Sequence, residues 1–116
     1  MAAGTYNFAA EQGATLERVI TYRDSLGALV NLTSYTARMQ VRLAVESTSF
    51  VLELTTSNGG ITLGGTAGTI TLLVSATVMS SLAAATYVYD LEIVSPSGRV
   101  TRLIEGKFAV KAEVTR

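Results

Sequence analysis

Residues 36–45 read T-A-R-M-Q-V-R-L-A-V, with Ala37, Met39, Val41, Leu43 and Val45 in every second place and Thr36, Arg38, Gln40 and Arg42 in the gaps. Successive side chains of a strand point to opposite faces, so this period of two predicts a half-buried β-strand. The odd positions are expected to build a core. Arg38, Gln40 and Arg42 then stand together on the other face, and this trio is the candidate partner interface.

The same period recurs on both sides. Phe50, Leu52 and Leu54 alternate with Val51, Glu53 and Thr55 after a polar loop at 46–49, and Asn58-Gly59-Gly60 closes that strand. Tyr87, Tyr89, Leu91 and Ile93 alternate with Val88, Asp90, Glu92 and Val94. Ser95-Pro96-Ser97-Gly98 follows, a turn with proline in second place, which makes residues 100–104 the hairpin partner of 87–94. Gly106 interrupts the alternation before Phe108, Val110, Ala112 and Val114 resume it, the pattern of a bulge or kink in the last strand. Upstream, residues 5–10 and 15–23 read as two extended pieces. The second has Leu16, Ile20 and Tyr22 on one face, interrupted by Arg18, and the turn residues 24–27 send the chain back toward Leu29, Val30 and Leu32.

Gly64-Gly65-Thr66-Ala67-Gly68 admits two readings. A phosphate cradle needs a helix opening directly after the glycines and usually a lysine, whereas residues 69–74 form another alternating segment. A hairpin turn is the better reading. From Ser75 the period changes: Ser75 is placed to cap one short helix, with Val78, Met79 and Leu82 on one side. The whole chain, residues 1–116, is therefore expected to be one domain, an all-β, immunoglobulin-like antiparallel β-sandwich of about seven to nine strands with one short connecting helix. The immunoglobulin-like version is favoured by Tyr87, the candidate for a tyrosine corner, whose hydroxyl would tie back to the backbone just upstream; a half-buried strand tyrosine without that bond is the alternative. The cysteine pair and tryptophan of antibody domains are missing.

Composition narrows the chemistry. Hydrophobic residues make up 48% and charged residues 16%, a balance opposite to that of disordered chains. Nine basic and nine acidic residues cancel, leaving no overall positive field for nucleic acid. Without cysteine or histidine there is no thiolate or imidazole ligand, no cysteine nucleophile and no histidine-based triad. No run of about 18 apolar residues and no leader pattern is present, so no membrane partner is expected. No cofactor, metal or catalytic site emerges. Asp90 and Glu92 lie two apart on one strand face, as an acid–base pair might require, but Arg99, Arg102 and Lys107 on the same hairpin offer ion partners, the ordinary use of such residues. Seven of the nine basic residues are arginine, whose planar head suits protein interfaces. A nucleic-acid platform would interleave aromatics with that arginine face, yet Tyr87 and Tyr89 fall on the opposite one.

Several runs carry a resemblance that covers nearly the whole chain. T-Y-N-F-A-A-E-Q-G-A-T from Thr5, L-T-S-Y-T-A-R-M-Q-V-R from Leu32, G-G-I-T-L-G, G-T-I-T-L, T-Y-V-Y-D-L-E, S-P-S-G-R-V-T-R-L and E-G-K-F-A-V-K-A-E-V-T-R resemble small tailed-bacteriophage proteins encoded among tail and tail-fibre genes. A related similarity is to the immunoglobulin-like N-terminal domain of phage upper baseplate proteins. The chain departs from the usual pattern at Leu26 and at Ala83 to Ala85, both in loops. The resemblance implies a non-enzymatic structural subunit of the virion, made in the host cytoplasm, acting as a tail or baseplate adaptor or fibre-attachment protein. Its expected partners are tail, baseplate or fibre subunits and copies of itself, met through an edge strand and the Arg38, Gln40 and Arg42 face, with edge-strand addition the expected mechanism. Two alternatives stand beside it: a decoration (cement) protein on the major capsid protein, and a carbohydrate-binding module touching the host surface. Residues 1–4 and 113–116 are expected to order only in the assembly.

Overall fold

Burial follows the alternation wherever the chain stays in a sheet. The computed structural model describes residues 4–114. β4 (Thr36–Arg42) buries Ala37, Met39 and Val41, and β8 (Ala85–Val94) buries Tyr87, Tyr89, Leu91 and Ile93. The Ser95–Gly98 turn, held by a Gly98 N–H to Ser95 O bond of 2.9 Å with Gly98 at φ 91°, returns the chain as β9 (Val100–Lys111), which pairs with all ten residues of β8. Gly98 fits because a side chain is strained at that angle.

Nine strands form two sheets among the described residues. The large sheet runs β9-β8-β4-β5, with β5 at Leu52–Thr55, and β1 (Gly4–Thr5) and β2 (Phe8–Glu11) both lie on the outer edge of β9. The small sheet runs β3-β7-β6, from β3 (Leu16–Thr21), β7 (Thr69–Val74) and β6 (Ile61–Leu63). These orders correspond to G-F-C-C′ and B-E-D of an immunoglobulin-like sandwich. Their inner faces share one core, in which Phe108, Leu32, Met39, Ile70, Leu72 and Met79 are sealed from solvent. The helix α1 (Ala76–Ser80) starts where Ser75 Oγ accepts from Val78 N–H at 3.3 Å; Met79 and Leu82 enter the core while Val78 stays exposed.

Several expectations need correction. The sandwich is not antiparallel throughout, because β1 and β2 run parallel to β9. The core set of the opening stretch stops at Val41: Leu43 is 63% and Val45 82% exposed. A turn removes them from the sheet, with Ser47 N–H donating to Ala44 O, Ala44 N–H to Ser47 Oγ and the Arg42 guanidinium to Ser47 O. Phe50 is likewise exposed, since β5 begins only at Leu52. The segment after Tyr22 makes no second strand, only a bridge between Arg23 and Leu29. Residues 64–68 carry a 3-10 turn (Gly65–Ala67), and the strand-to-strand connection they make has no helix opening onto it.

The irregularity in β9 lies elsewhere than expected. Leu91 pairs with Ile104 and Glu92 with Arg102, so Leu103 is the extra residue of the bulge. Gly106 stays in register with Tyr89. There the chain passes from β1 to β2 across Gly106, and a Cβ at that position would collide with Tyr6 O and lie 2.7 Å from Asn7 Oδ1. Gly106 thus permits a close chain crossing. Of the segments expected to order only in the assembly, Gly4 pairs with Ile104 and the Glu113 N–H points at Gln12 Oε1 (3.4 Å); residues 1–3 and 115–116 lie outside the described residues.

Candidate protein-contact face

The outward positions of β5, β4, β8 and β9 make one flat face. Register sets its rows: Thr55, Arg38, Glu92 and Arg102 in the first, Glu53, Gln40, Asp90 and Glu105 in the second, Arg42, Val88 and Lys107 in the third. Arg38, Gln40 and Arg42 do share this face. They are not free-standing, however. Arg38 Nε meets Glu92 Oε1 at 2.9 Å, Gln40 Nε2 donates to Glu53 Oε2 at 2.7 Å, and Arg42 donates to Gln40 Oε1 at 2.6 Å and to Ser47 O at 2.8 Å.

Asp90 and Glu92 are drawn into the same ladder. Arg102 lies 3.4 Å from Asp90 Oδ2, 3.8 Å from Glu92 Oε2 and 3.7 Å from Glu105 Oε1. Burial raises the Asp90 pKa above the ordinary carboxylate value; Arg102 and Arg42 pull it down, while Glu92 and Glu105 push it up further. The pair of carboxylates is thus balanced by guanidinium groups, and such exposed pairs contribute little stability each. Arg38 and Arg102 side chains remain about half exposed, at 53% each, and Glu105 at 51%, so the ladder keeps hydrogen-bonding capacity toward a partner.

Beyond the third row β4 leads into a loop whose apolar residues were expected in the core or in a strand. Leu43, Val45, Phe50 and Val51 are 63%, 82%, 46% and 42% exposed, all within the loop from β4 to β5. Val45 and Val88 line one shallow groove over the face with Arg42 and Asp90. The polar run 46–49 was the available sign that the strand had ended.

Tyr87 sits on the inner side. Its hydroxyl donates to Ala83 O at 2.7 Å, four residues upstream, the bond that defines a tyrosine corner at the start of this strand. Tyr89, next inward, donates to Tyr6 O at 2.5 Å, and burial pushes its pKa well above the ordinary tyrosine value. Phe8 packs edge-on against both Tyr6 (4.8 Å) and Tyr89 (4.9 Å), which fixes the N-terminal crossing on the back of the face.

The sheet edges are short or obstructed. β5 and β2 have four residues and β6 three; the six-residue β3 carries Arg18 on its inward side, with NH1 on Glu17 O (2.9 Å) and NH2 near Ala9 O (3.5 Å). No group of three or more His, Cys, Asp or Glu side chains placed to hold a metal ion occurs among the described residues, and no helix of the described chain is long and apolar enough to cross a membrane. Compared with known proteins, the chain matches no family profile and no curated sequence.

Proposed function

We propose that the protein is a non-enzymatic structural subunit of a bacteriophage virion, an adaptor or fibre-attachment protein of the tail or baseplate that works through protein–protein contacts. The observation that carries the contact reading is the large-sheet face, a charged ladder whose groove is lined by Val45 and Val88, with the exposed Leu43, Phe50 and Val51 in the same β4-to-β5 loop as Val45. An apolar patch beside arginine-rich polar positions is the anatomy of an interface. The virion setting comes from the resemblance of residues 5–15, 32–42 and the C-terminal run to small tail-region proteins. Because the edges are short or blocked, the face rather than strand addition is the expected contact.

The cement alternative uses the same face against the capsid lattice. The sugar-binding alternative has less in its favour, since the chain carries no tryptophan and Phe50 is in no ring pair.

Cryo-electron microscopy of purified particles of the encoding phage tests the proposal. Density for this sandwich in a low-copy ring around the tail, with Arg38 and the 43–51 loop at a subunit contact, is expected. Density repeated over the capsid favours the cement role, and absence from the particle overturns the structural reading.

A further inference from the structure

The turn after β5 closes on one side chain. Asn58 Oδ1 accepts from Thr55 N–H at 2.9 Å and from Gly60 N–H at 2.8 Å, while Asn58 Nδ2 donates to Glu53 O at 3.0 Å. β5 is the outer strand of the large sheet, and because Thr56 N–H turns inward to Ala37 O, alternation turns the backbone groups of Glu53 and Thr55 outward. The Asn58 amide thus stands where a neighbouring strand's peptide would, and seals part of that edge.

The same arrangement bears on the chemistry of Asn58. A side chain bonded to the N–H two residues on lies across the peptide in between, which keeps Cγ close to the Gly59 nitrogen. Two N–H groups on Oδ1 are placed to stabilise the oxyanion that forms when that nitrogen attacks Cγ, as in other acyl transfers. Gly59 N–H donates to nothing among the described residues, and Gly59, at φ 83°, has no side chain and open space around it. The chain's two other asparagines lack this combination. Asn31 also accepts from the N–H two residues on, that of Thr33, but the nitrogen between belongs to Leu32, which is sealed from solvent and donates to Gly65 O at 2.9 Å. Asn7 is followed by the buried Phe8.

We propose that Asn58 deamidates spontaneously in the folded protein and that the reaction unseals the β5 edge. The Gly59 nitrogen forms a bond to Cγ and the Cγ–Nδ2 bond breaks; the Gly59 proton passes through water to Nδ2, which leaves as ammonia. A water molecule then opens the five-membered imide at either carbonyl carbon. Opening at Cγ gives aspartate, and opening at the former peptide carbon gives isoaspartate, with the main chain one methylene longer. One water is consumed and one ammonia released, with no change of oxidation state. The donor to Glu53 O is lost with the ammonia, and a negative charge takes its place beside that carbonyl. In the isoaspartyl chain the pendant carboxylate is also one bond nearer the backbone, so Thr55 N–H loses its acceptor. Free backbone groups on an outer strand are a template for another chain. The inference rests on neither the contact face nor the virion setting.

Peptide mapping by mass spectrometry is the test, on the full chain incubated warm at mildly alkaline pH. The Asn58 peptide should convert to a mixture of aspartyl and isoaspartyl forms through an imide lighter by one ammonia. Its rate should lie within about threefold of that of the same chain in urea and at least about tenfold above those of Asn7 and Asn31, a barrier difference of about 1.4 kcal/mol. Asn58 that stays intact in the folded chain while it converts in urea overturns the proposal, as does conversion of Asn31 at the same rate. Amide hydrogen exchange by NMR reads the edge. Thr55 N–H should exchange several-fold faster in the isolated isoaspartyl product than in the unmodified chain, and likewise in Asn58→Ala, whose folding circular dichroism checks. Unchanged Thr55 exchange in the product overturns the unsealing.

Discussion

Replacing Gly106 by alanine tests whether the β1-to-β2 crossing is an integral part of the sandwich. The added Cβ would collide with Tyr6 O and approach Asn7 Oδ1 to 2.7 Å and Tyr6 C to 3.1 Å, so the peptide between Tyr6 and Asn7 must move off β9. Three hydrogen bonds depend on that peptide lying where it does: Tyr6 N–H to Glu105 O (3.0 Å), Tyr89 Oη–H to Tyr6 O (2.5 Å) and Lys107 N–H to Asn7 Oδ1 (3.0 Å). At roughly 1 kcal/mol net for each, losing two or three costs about 2–3 kcal/mol. For a chain of this length that lowers the melting temperature by about 8–12 °C. Urea unfolding followed by circular dichroism measures it, since the chain has no tryptophan to report by fluorescence. Tyr89→Phe alone should cost about 1 kcal/mol, and the double variant little more than Gly106→Ala, because both act on the same bond. Gly106→Ala within about 0.5 kcal/mol of wild type, the range of an ordinary surface change, would refute the crossing argument.

Two further outcomes follow from the site. Tyr87→Phe removes the hydroxyl that holds Ala83 O, and because Ala83 is exposed and its carbonyl can return to water, the loss should be about 1 kcal/mol by chemical denaturation; no change would mean the corner bond anchors nothing. Asp90→Asn should behave differently at two pH values: the folded-state pKa of Asp90 is raised, so the folded state holds its proton longer than the unfolded chain and the ionised group works against folding as pH rises through and above the ordinary carboxylate range. The variant should therefore melt at or slightly above wild type at pH 7 and match it at pH 3, and a variant clearly less stable than wild type at pH 7 would show that the Arg102 contact outweighs desolvation.

Local pattern located the central strands and their hairpin, and was insufficient for where β4 ends and for the pairings made at long range. The alternation through 36–42 and 87–94 and the Ser95–Gly98 turn were legible because each depends on residues a few places apart. Leu43 and Val45 were misread since the alternation continues past Arg42, whereas the chain leaves the sheet on hydrogen bonds from Ser47 that no hydropathy pattern encodes. The parallel seat of β2 on β9 joins residues 100 positions apart, and its one trace in the sequence, Gly106, reads equally well as a bulge. For the site, the common face of Arg38, Gln40 and Arg42 was visible, and Arg102 was among the cations expected to answer Asp90 and Glu92. The link from Gln40 to Glu53 was not, because it depends on the β4–β5 register.

The placement of Arg18 bears on how this sandwich meets a partner. β3 is the longest strand at a free edge of the small sheet, and an open edge of six residues is a template for another chain's backbone. Arg18 occupies an inward position there, where an apolar residue would continue the face of Leu16 and Ile20, and its guanidinium spans toward Ala9 O on the opposite sheet. A strand arriving at this edge would have to displace or bury that charge, an expensive step without a carboxylate to receive it. The remaining edges offer four residues or fewer in β5, β6, β2 and β1, and short edge strands are a common way to discourage strand addition. The large-sheet face has the opposite character, with Arg38, Arg102, Asp90, Glu92 and Glu105 already ion-paired, Arg38, Arg102 and Glu105 about half exposed, and Val45 and Val88 lining its groove. Association through that face leaves the backbone ladder intact and needs only the ion pairs to be shared with a second molecule, which is the lower-cost route for a chain with no net charge to hold copies apart.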